Sequence, residues 1–158
     1  MYKFGIVCFV VAASVVVRND ASQITEAQKS KIYGKLLTSG LECMREFPLS
    51  LEHIQSFRNK KMPDDEGAKC FTNCLLKHLG VFDDNDKMSA KKAHDATKHI
   101  FKDNTDILSK VDTLISKCIH VNEEETTDDD KKCNRAKLAF ECLNEHVTEL
   151  GLDMEFSM

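Results

Sequence analysis

The sequence lacks every short motif that would mark a familiar catalytic centre. It contains no nucleophile elbow, phosphate-binding loop, HExxH pair or CxxC pair. It also lacks an N-x-S/T sequon, so we expect no N-linked glycan. His94 and His99 are five residues apart, which places them off one helical face and argues against a shared metal ion. We therefore expect a protein that is not an enzyme, with no catalytic residue, no metal and no cofactor.

No apolar run is long enough to cross a membrane comfortably. The longest is the 14-residue stretch from Phe4 to Val17, whereas a transmembrane helix needs about 20 residues. A short positively charged start before such a run is typical of a secretory signal peptide. We assign residues 1–21 to this leader and residues 22–158 to a single exported domain. The cleavage position is approximate, Ala12–Ser14 is a second candidate, and an uncleaved anchor is the alternative.

An excess of positive charge is also missing. Without Lys3, Arg18 and Asp20 of the leader, the 22 basic and 26 acidic residues of the full chain become 20 and 25, a net charge of −5. Nucleic-acid binding depends on basic patches, so this balance argues against a nucleic-acid partner. Acidity combined with 42% hydrophobic residues is typical of a carrier or binding module.

No strand pattern appears before the C-terminal tail, residues 151–158. In that tail Leu152, Met154 and Phe156 alternate with polar residues, which is the period of an extended segment with one side buried. Elsewhere apolar residues recur at helical spacing and predict an all-α fold. Six helices are predicted from their start signals. The first begins with a capping box at Thr25 and the third with Pro63 in its first turn. The second begins at Ser50, the fourth at Ser89, the fifth at either Asn104 or Thr105, and the sixth in the acidic stretch 123–130.

A polar turn at Asp83–Asp86 follows Gly80, which is expected to end the third helix. A calcium loop needs acidic or amide residues at its positions 1, 3 and 5 and a glycine at position 6, and no offset supplies them. We interpret this turn as a solvated connector. We expect Leu37, Leu41 and Met44 on the apolar face of the first helix and Leu51 on the buried side of the second.

Seven cysteines are present, of which Cys8 lies in the leader. Six cysteines in an exported chain are expected to be bridged, and they permit 15 pairings that spacing alone does not resolve. Cys70 and Cys74 are four residues apart, so they share one helical face and are suited to bind two different partner helices. The six have the spacing C-x26-C-x3-C-x43-C-x14-C-x8-C, from Cys43 to Cys142.

Two of these gaps and their surroundings resemble the insect odorant-binding proteins, the pheromone-binding and general odorant-binding family. That family has three residues between its second and third cysteines and eight between its fifth and sixth, as in Cys70–Cys74 and Cys133–Cys142. The acidic segment Met62–Glu66 before Cys70, and Cys133–Ala136, are also similar to the family pattern. The resemblance covers about residues 25–150. Two departures are the 14-residue gap before Cys133 and the lack of the common glycine in the turn at Asp83–Lys87.

The resemblance implies a compact six-helix domain, stapled by disulfides around an apolar pocket. It also implies the pairs Cys43–Cys74, Cys70–Cys133 and Cys118–Cys142. The implied function is non-covalent transport of small hydrophobic or amphiphilic ligands, such as odorants and pheromones, through an extracellular fluid such as sensillum lymph. A chemosensory membrane receptor is a further implied partner, and the protein is expected to be a monomer or a homodimer.

The helical pattern selects the candidate pocket residues. We expect walls from the second, third, fifth and sixth helices, closed by the tail as a pH-sensitive lid, with a frayed terminus as the alternative. A secreted structural or interaction protein on the same scaffold, without ligand transport, is the alternative function. A small disulfide-rich lipase is disfavoured, because no His-Asp calcium-loop arrangement surrounds the cysteines. The predicted pocket residues are Ile54, Phe57, Leu75, Leu79, Val111, Leu114, Ile115, Phe140, Leu143 and Phe156.

Overall fold

The described part of the chain folds into six α-helices. The structure, a computed structural model, describes residues 23–125 and 133–152. Within those ranges there is no extended strand, and Phe82 and Met88 form an isolated antiparallel bridge. The helices are α1 (Glu26–Glu46), α2 (Leu51–Arg58), α3 (Glu66–His78), α4 (Ala90–Phe101), α5 (Thr105–Cys118) with a following 3-10 turn (Ile119–Asn122), and α6 (Asn134–Glu149). The prediction of an all-α, six-helix fold is confirmed.

Side-chain caps fix where most helices begin. Thr25 Oγ1 accepts a hydrogen bond from the backbone N–H of Gln28, and the backbone N–H of Thr25 donates to Oε1 of Gln28, which completes the predicted capping box. The side chains of Ser89 and Asn104 cap α4 and α5, as expected, by accepting from the backbone N–H groups of Lys92 and Ile107. The prediction that Pro63 opens the third helix is wrong. Asp65 provides the cap instead, because its carboxylate accepts from the backbone N–H of Ala68 at 2.9 Å.

Glycines in the left-handed conformation end α3 and α6. Gly80 has φ +81° and Gly151 has φ +64°. In each case the next residue donates its backbone N–H to a carbonyl five positions back, Val81 to Leu76 and Leu152 to Val147. These are Schellman turns, which return the chain sharply onto the helix it has just left. The turn at Gly80 also brings α3 close to α4, since a Cβ at Gly80 would lie 2.8 Å from the Cβ of Ala96.

Three disulfides join four of the helices. Cys43–Cys74 links α1 to α3, Cys70–Cys133 links α3 to the start of α6, and Cys118–Cys142 links α5 to α6. Cys70 and Cys74 therefore bind two different helices. In the chain-entropy account, closing loops of these lengths restricts the unfolded chain by about 3–4.5 kcal/mol each. Such cross-links can offset the packing that a hollow helical shell gives up.

Buried apolar residues form two adjoining clusters. The first is built on Phe82, Met88, Ile115 and the Cys118–Cys142 pair, between α3, α5 and α6. The second gathers Phe101, Ile107, Leu114 and Leu152 where α4 and α5 meet the end of α6. Val111 and Leu143 pack against both clusters. An apolar cavity opens in the region between the two clusters.

The predicted apolar face of α1 is only partly buried. Leu37 and Leu41 are 66% and 55% exposed, and Met44 also reaches solvent. Leu51 at the start of α2 was expected inside and is 80% exposed. Both expectations are wrong because helical spacing identifies which residues share a face but does not say whether another element covers that face.

The acidic turn after α3 is not wholly a solvated connector. Asp84 is exposed, but Asp86 is only 3% exposed and has the left-handed φ of 59°. The carboxylate of Asp83 accepts from the backbone N–H groups of Asn85 and Lys87 and so shapes the turn. The prediction fails for Asp86 because the turn directs this carboxylate inward onto polar partners of α3.

Candidate ligand cavity

An apolar cavity lies among α3, α4, α5 and α6. Its volume is about 220 Å³, and its wall is almost entirely apolar. The Schellman turn after α3 supplies part of one wall, and the facing stripes of α5 and α6 supply the opposite side. The lining residues are Leu79, Val81, Ala93, Thr97, Val111, Leu114, Ile115, Leu143, Asn144 and Val147.

Half of the predicted pocket residues line this cavity. They come from the end of α3 and from the apolar stripes of α5 and α6, and are Leu79, Val111, Leu114, Ile115 and Leu143. Phe156 lies outside the described residues, so its position is not assigned here.

The remaining four predicted wall residues, Ile54, Phe57, Leu75 and Phe140, are not among the described lining residues. The ring of Phe57 packs against Phe71 and Phe140 instead, with centroid distances of 6.1 and 5.7 Å. These aromatic contacts join α2, α3 and α6 to each other. Phe140 thus packs against α2, one helical turn before the α6 residues that face the cavity.

Residues of α4 line the cavity, and none of its described lining residues belongs to α2, contrary to the prediction. Ala93 and Thr97 of α4 both line the cavity, although small and hydroxylated residues carry little weight in a hydrophobic pattern. Val81 and Val147 were also missed, and so was Asn144 of α6. It lies beside Leu143 and one turn before Val147, so its position on an apolar stripe was the available signal.

The cavity contains two polar side chains and no charged one among its described lining residues. The hydroxyl of Thr97 donates to the backbone carbonyls of Ala93 and His94, at 2.8 and 3.1 Å. The amide Nδ2 of Asn144 is buried and has no hydrogen-bond partner in the described part of the chain. With no titratable lining residue, the cavity is suited to holding an apolar molecule rather than to acid–base chemistry.

Three groups of side chains have metal-like spacing, but their chemistry does not suit a metal. Each group combines both cysteines of one disulfide with one further residue, His78, His146 or Glu66. A cysteine binds a metal ion as a thiolate, and a sulfur in a disulfide is not one. Each group therefore retains one side chain that can bind a metal ion, a histidine or a glutamate.

The residue after Gly151 packs against the cluster that borders the cavity. Leu152 is 9% exposed and belongs to the same cluster as Leu114, which lines the cavity. Val111, Leu143 and Val147, which also line it, pack against that cluster. The start of the predicted tail is therefore part of the core, while Met154 and Phe156 lie outside the described residues.

An ion-pair network ties the end of α6 to α5 beside this turn. Glu149 accepts from Lys117 Nζ at 2.7 Å and pairs with Nδ1 of His146 at 2.9 Å. The hydrogen bond from Lys117, followed by that from His146, lowers the pKa of the Glu149 carboxyl below its ordinary value. The Lys117–Glu149 ion pair stays ionised at moderately acidic pH and links α5 to α6, the two helices that carry most of the cavity wall.

The chain is similar to known odorant-binding proteins. The sequence profile of the PBP/GOBP family matches residues 24–146. General odorant-binding protein 19d of Drosophila melanogaster is 26% identical over 114 residues, which cover 72% of this chain and 73% of that protein. General odorant-binding protein 28a of the same organism is 24% identical over 78 residues, 49% of this chain and 54% of that one. The solved structure of odorant-binding protein dmelOBP28a from Drosophila melanogaster has a TM-score of 0.59 at 22% identity, covering 79% of this chain and 99% of the other.

Proposed function

Because this chain belongs to the PBP/GOBP family, we propose that it is a secreted carrier of small hydrophobic or amphiphilic molecules, odorants or pheromones among them. It would hold them non-covalently in the α3–α6 cavity and transport them through an aqueous extracellular fluid. The observation that carries the proposal is the cavity itself, an apolar space of about 220 Å³ inside a disulfide-linked shell. Burying apolar ligand surface there gains about 25 cal/mol per Å² removed from water.

Secretion is part of the same proposal. It rests on the predicted leader at residues 1–21, which is outside the described residues, and on disulfides, which persist in oxidising compartments. Among the described residues no helix has the length and apolar character needed to cross a bilayer. A chemosensory membrane receptor would be the partner that receives the ligand.

Binding of a small fluorescent apolar probe, followed by competition with unlabelled ligands, tests the proposal. We expect saturable binding at one site per chain that is lost on reduction of the disulfides. Mass spectrometry of protein purified from its native source would identify the bound molecule. No saturable binding of any apolar compound would overturn the carrier function.

A second candidate is a secreted interaction protein on the same scaffold, without ligand transport. The exposed apolar stripe of Leu37, Leu41 and Met44 on α1 favours it, because solvent-facing apolar residues on one helical face often mark contact surfaces. The same stripe would serve a homodimer as well as a different partner. Absence of probe binding, together with self-association that is weakened by Leu41→Ser, would support this alternative over the carrier.

A further inference from the structure

The outward face of α1 has the residue spacing of a coiled-coil seam. Its residues follow one another in alternating steps of four and three, which are the a and d positions of a heptad, and all of them are exposed. The buried residues of this helix, Ser39 and Cys43, lie on the opposite side, and α1 packs against α3 and α4. The seam residues are Ser30, Gly34, Leu37, Leu41 and Met44.

The described part of the chain leaves this seam uncovered. Leu37 and Leu41 are more than half exposed. A Cβ at Gly34 would meet nothing within 4 Å, so no contact inside the described chain requires a glycine there. A glycine at an a position does, however, let the backbone of a second helix approach closely. Residues at this spacing are buried together when another helix lies along them.

Charges beside the seam favour a second copy of this chain and set its direction. In a parallel pair of α1 helices, Glu26 at a g position of one copy faces Lys31 at an e position of the other, and symmetry repeats the pair. Glu26 is 89% exposed, and its ion pair with Lys29 is made through Oε1. An antiparallel pair along the same seam would instead place Lys31 beside Arg45 of the second copy, and the two cations would repel each other.

We propose that the outward face of α1 is a self-association surface, along which two copies of this chain form a parallel, two-fold symmetric dimer. The seam extends over about four helical turns. An interface of this length is expected to bury less than about 1,200 Å², which is typical of weak, reversible contacts. None of the described residues that line the α3–α6 cavity belongs to α1, so the proposal does not depend on the carrier function.

Sedimentation equilibrium over a wide range of protein concentration tests the surface. We expect a monomer–dimer equilibrium in the wild type and a dimer at least about tenfold weaker in Leu41→Ser, because this leucine lies at the centre of the apolar seam. Leu51→Ser is the matched control, since Leu51 is 80% exposed but lies on α2, outside the seam, and should leave the equilibrium unchanged. A chain that stays monomeric at every concentration, or equal effects of the two variants, would overturn the proposal.

The direction of the pair is tested by reversing one charge. Lys31→Glu brings two carboxylates together in the parallel dimer and should weaken it about two- to tenfold. In an antiparallel dimer the same variant would face Arg45 and strengthen association. Lys35→Glu makes the same change of net charge one turn later, at a position away from the seam, and should have little effect. Stronger dimerisation of Lys31→Glu, or an equal effect of Lys35→Glu, would overturn the proposal.

A cross-link gives a second test of the direction. The parallel seam brings residue 30 of the two copies together, whereas an antiparallel seam separates them by about 27 Å at 1.5 Å per residue. Ser30→Cys should therefore form a disulfide-linked dimer under mild oxidation, and Leu41→Ser in the same chain should reduce its yield. A sample that dimerises without forming this cross-link would contradict the parallel arrangement.

Discussion

Asn73 Nδ2 donates to Oδ1 of Asp86 across 2.6 Å, and both residues are buried. Lys77 Nζ, one helical turn after Asn73, lies 2.6 Å from the same carboxylate oxygen. The backbone of Asp86 is in the left-handed region at φ 59°. That conformation costs a non-glycine residue about 1–2 kcal/mol, and the two contacts of the carboxylate offset the cost.

The Asp86 network should contribute strongly to stability. Asp86→Ala removes the carboxylate and leaves the Asn73 amide unpaired and Lys77 without this contact, so we expect a loss of about 3–5 kcal/mol in the free energy of unfolding. Asp86→Gly should lose about 1 kcal/mol less, since glycine adopts the left-handed backbone without penalty. Urea denaturation at pH 7 of the wild type, Asp86→Ala and Asp86→Gly measures these free energies of unfolding.

Asp84 provides the matched control in the same turn. Its side chain is 97% exposed and pairs with Lys92 at 3.3 Å. Asp84→Ala should change the free energy of unfolding by less than about 1 kcal/mol, as exposed ion pairs usually do. Equal losses for the alanine variants at 84 and 86 would show that the buried network is not what stabilises the turn.

Filling the cavity should affect ligand binding more than stability. Leu114 is 8% exposed and lines the cavity. In Leu114→Trp the larger side chain would occupy the space that a ligand needs, so we expect at least a tenfold loss of probe affinity. The stability cost should be about 1–3 kcal/mol or less, since part of the added volume enters a void. Probe titration and thermal unfolding of the same preparation measure the two effects.

Leu37→Trp is the control for that variant, because Leu37 lies on the exposed stripe of α1. It should leave both probe affinity and unfolding temperature close to wild type. Unchanged binding together with a clear loss of stability in Leu114→Trp would place Leu114 in solid core rather than at the wall of a ligand site.

Acid should weaken the link between α5 and α6. The pKa of Glu149 is lowered by Lys117 and His146, so its carboxylate stabilises the fold above the ordinary glutamate pKa of about 4.3. That contribution is lost as the pH falls through the lower folded-state pKa. We expect wild type and Glu149→Gln to differ in stability above pH 5 and to converge as the pH falls through the lowered pKa of Glu149, in urea unfolding at each pH. Glu145→Gln on the same helix is the control, and a constant difference across the range would contradict the prediction.

Local patterns predicted the helices better than they predicted the cavity. Thr25, Ser89 and Asn104 cap helices as expected because a cap depends only on residues within one turn. Burial depends on which elements meet, and so the exposure of Leu51 and the packing of Phe57 against Phe140 were not visible in the spacing. Leu51 and Phe57 satisfy the same helical pattern as the residues that do line the cavity.

The missed residues follow from the same limit. A hydrophobic pattern treats Asn144 as a break in the stripe, although its place between Leu143 and Val147 makes it a wall residue. Asp86 looked solvated because acidic turns usually are, and only the left-handed backbone directs its carboxylate inward. A sequence pattern counts polarity, whereas three-dimensional placement decides whether a polar atom faces water, a partner or a ligand.

The predicted pH-sensitive lid is best tested by truncation after Leu152 rather than after Gly151. Leu152 is buried against the Leu114 cluster and donates its backbone N–H to Val147, so deleting it would remove core packing together with the tail. A chain ending at Leu152 keeps that packing and lacks only residues 153–158, which are outside the described part of the structure. If those residues cover the cavity, acidification from pH 7 to pH 5, the range in which an ordinary histidine gains its charge, should loosen them and weaken probe binding in the full chain. We expect the truncated chain to bind the probe with nearly the same affinity at both pH values and to unfold at a temperature close to that of the full chain. A pH dependence of binding that survives truncation would assign the effect to groups such as His146 and Glu149, which lie beside the cavity wall, and not to a lid.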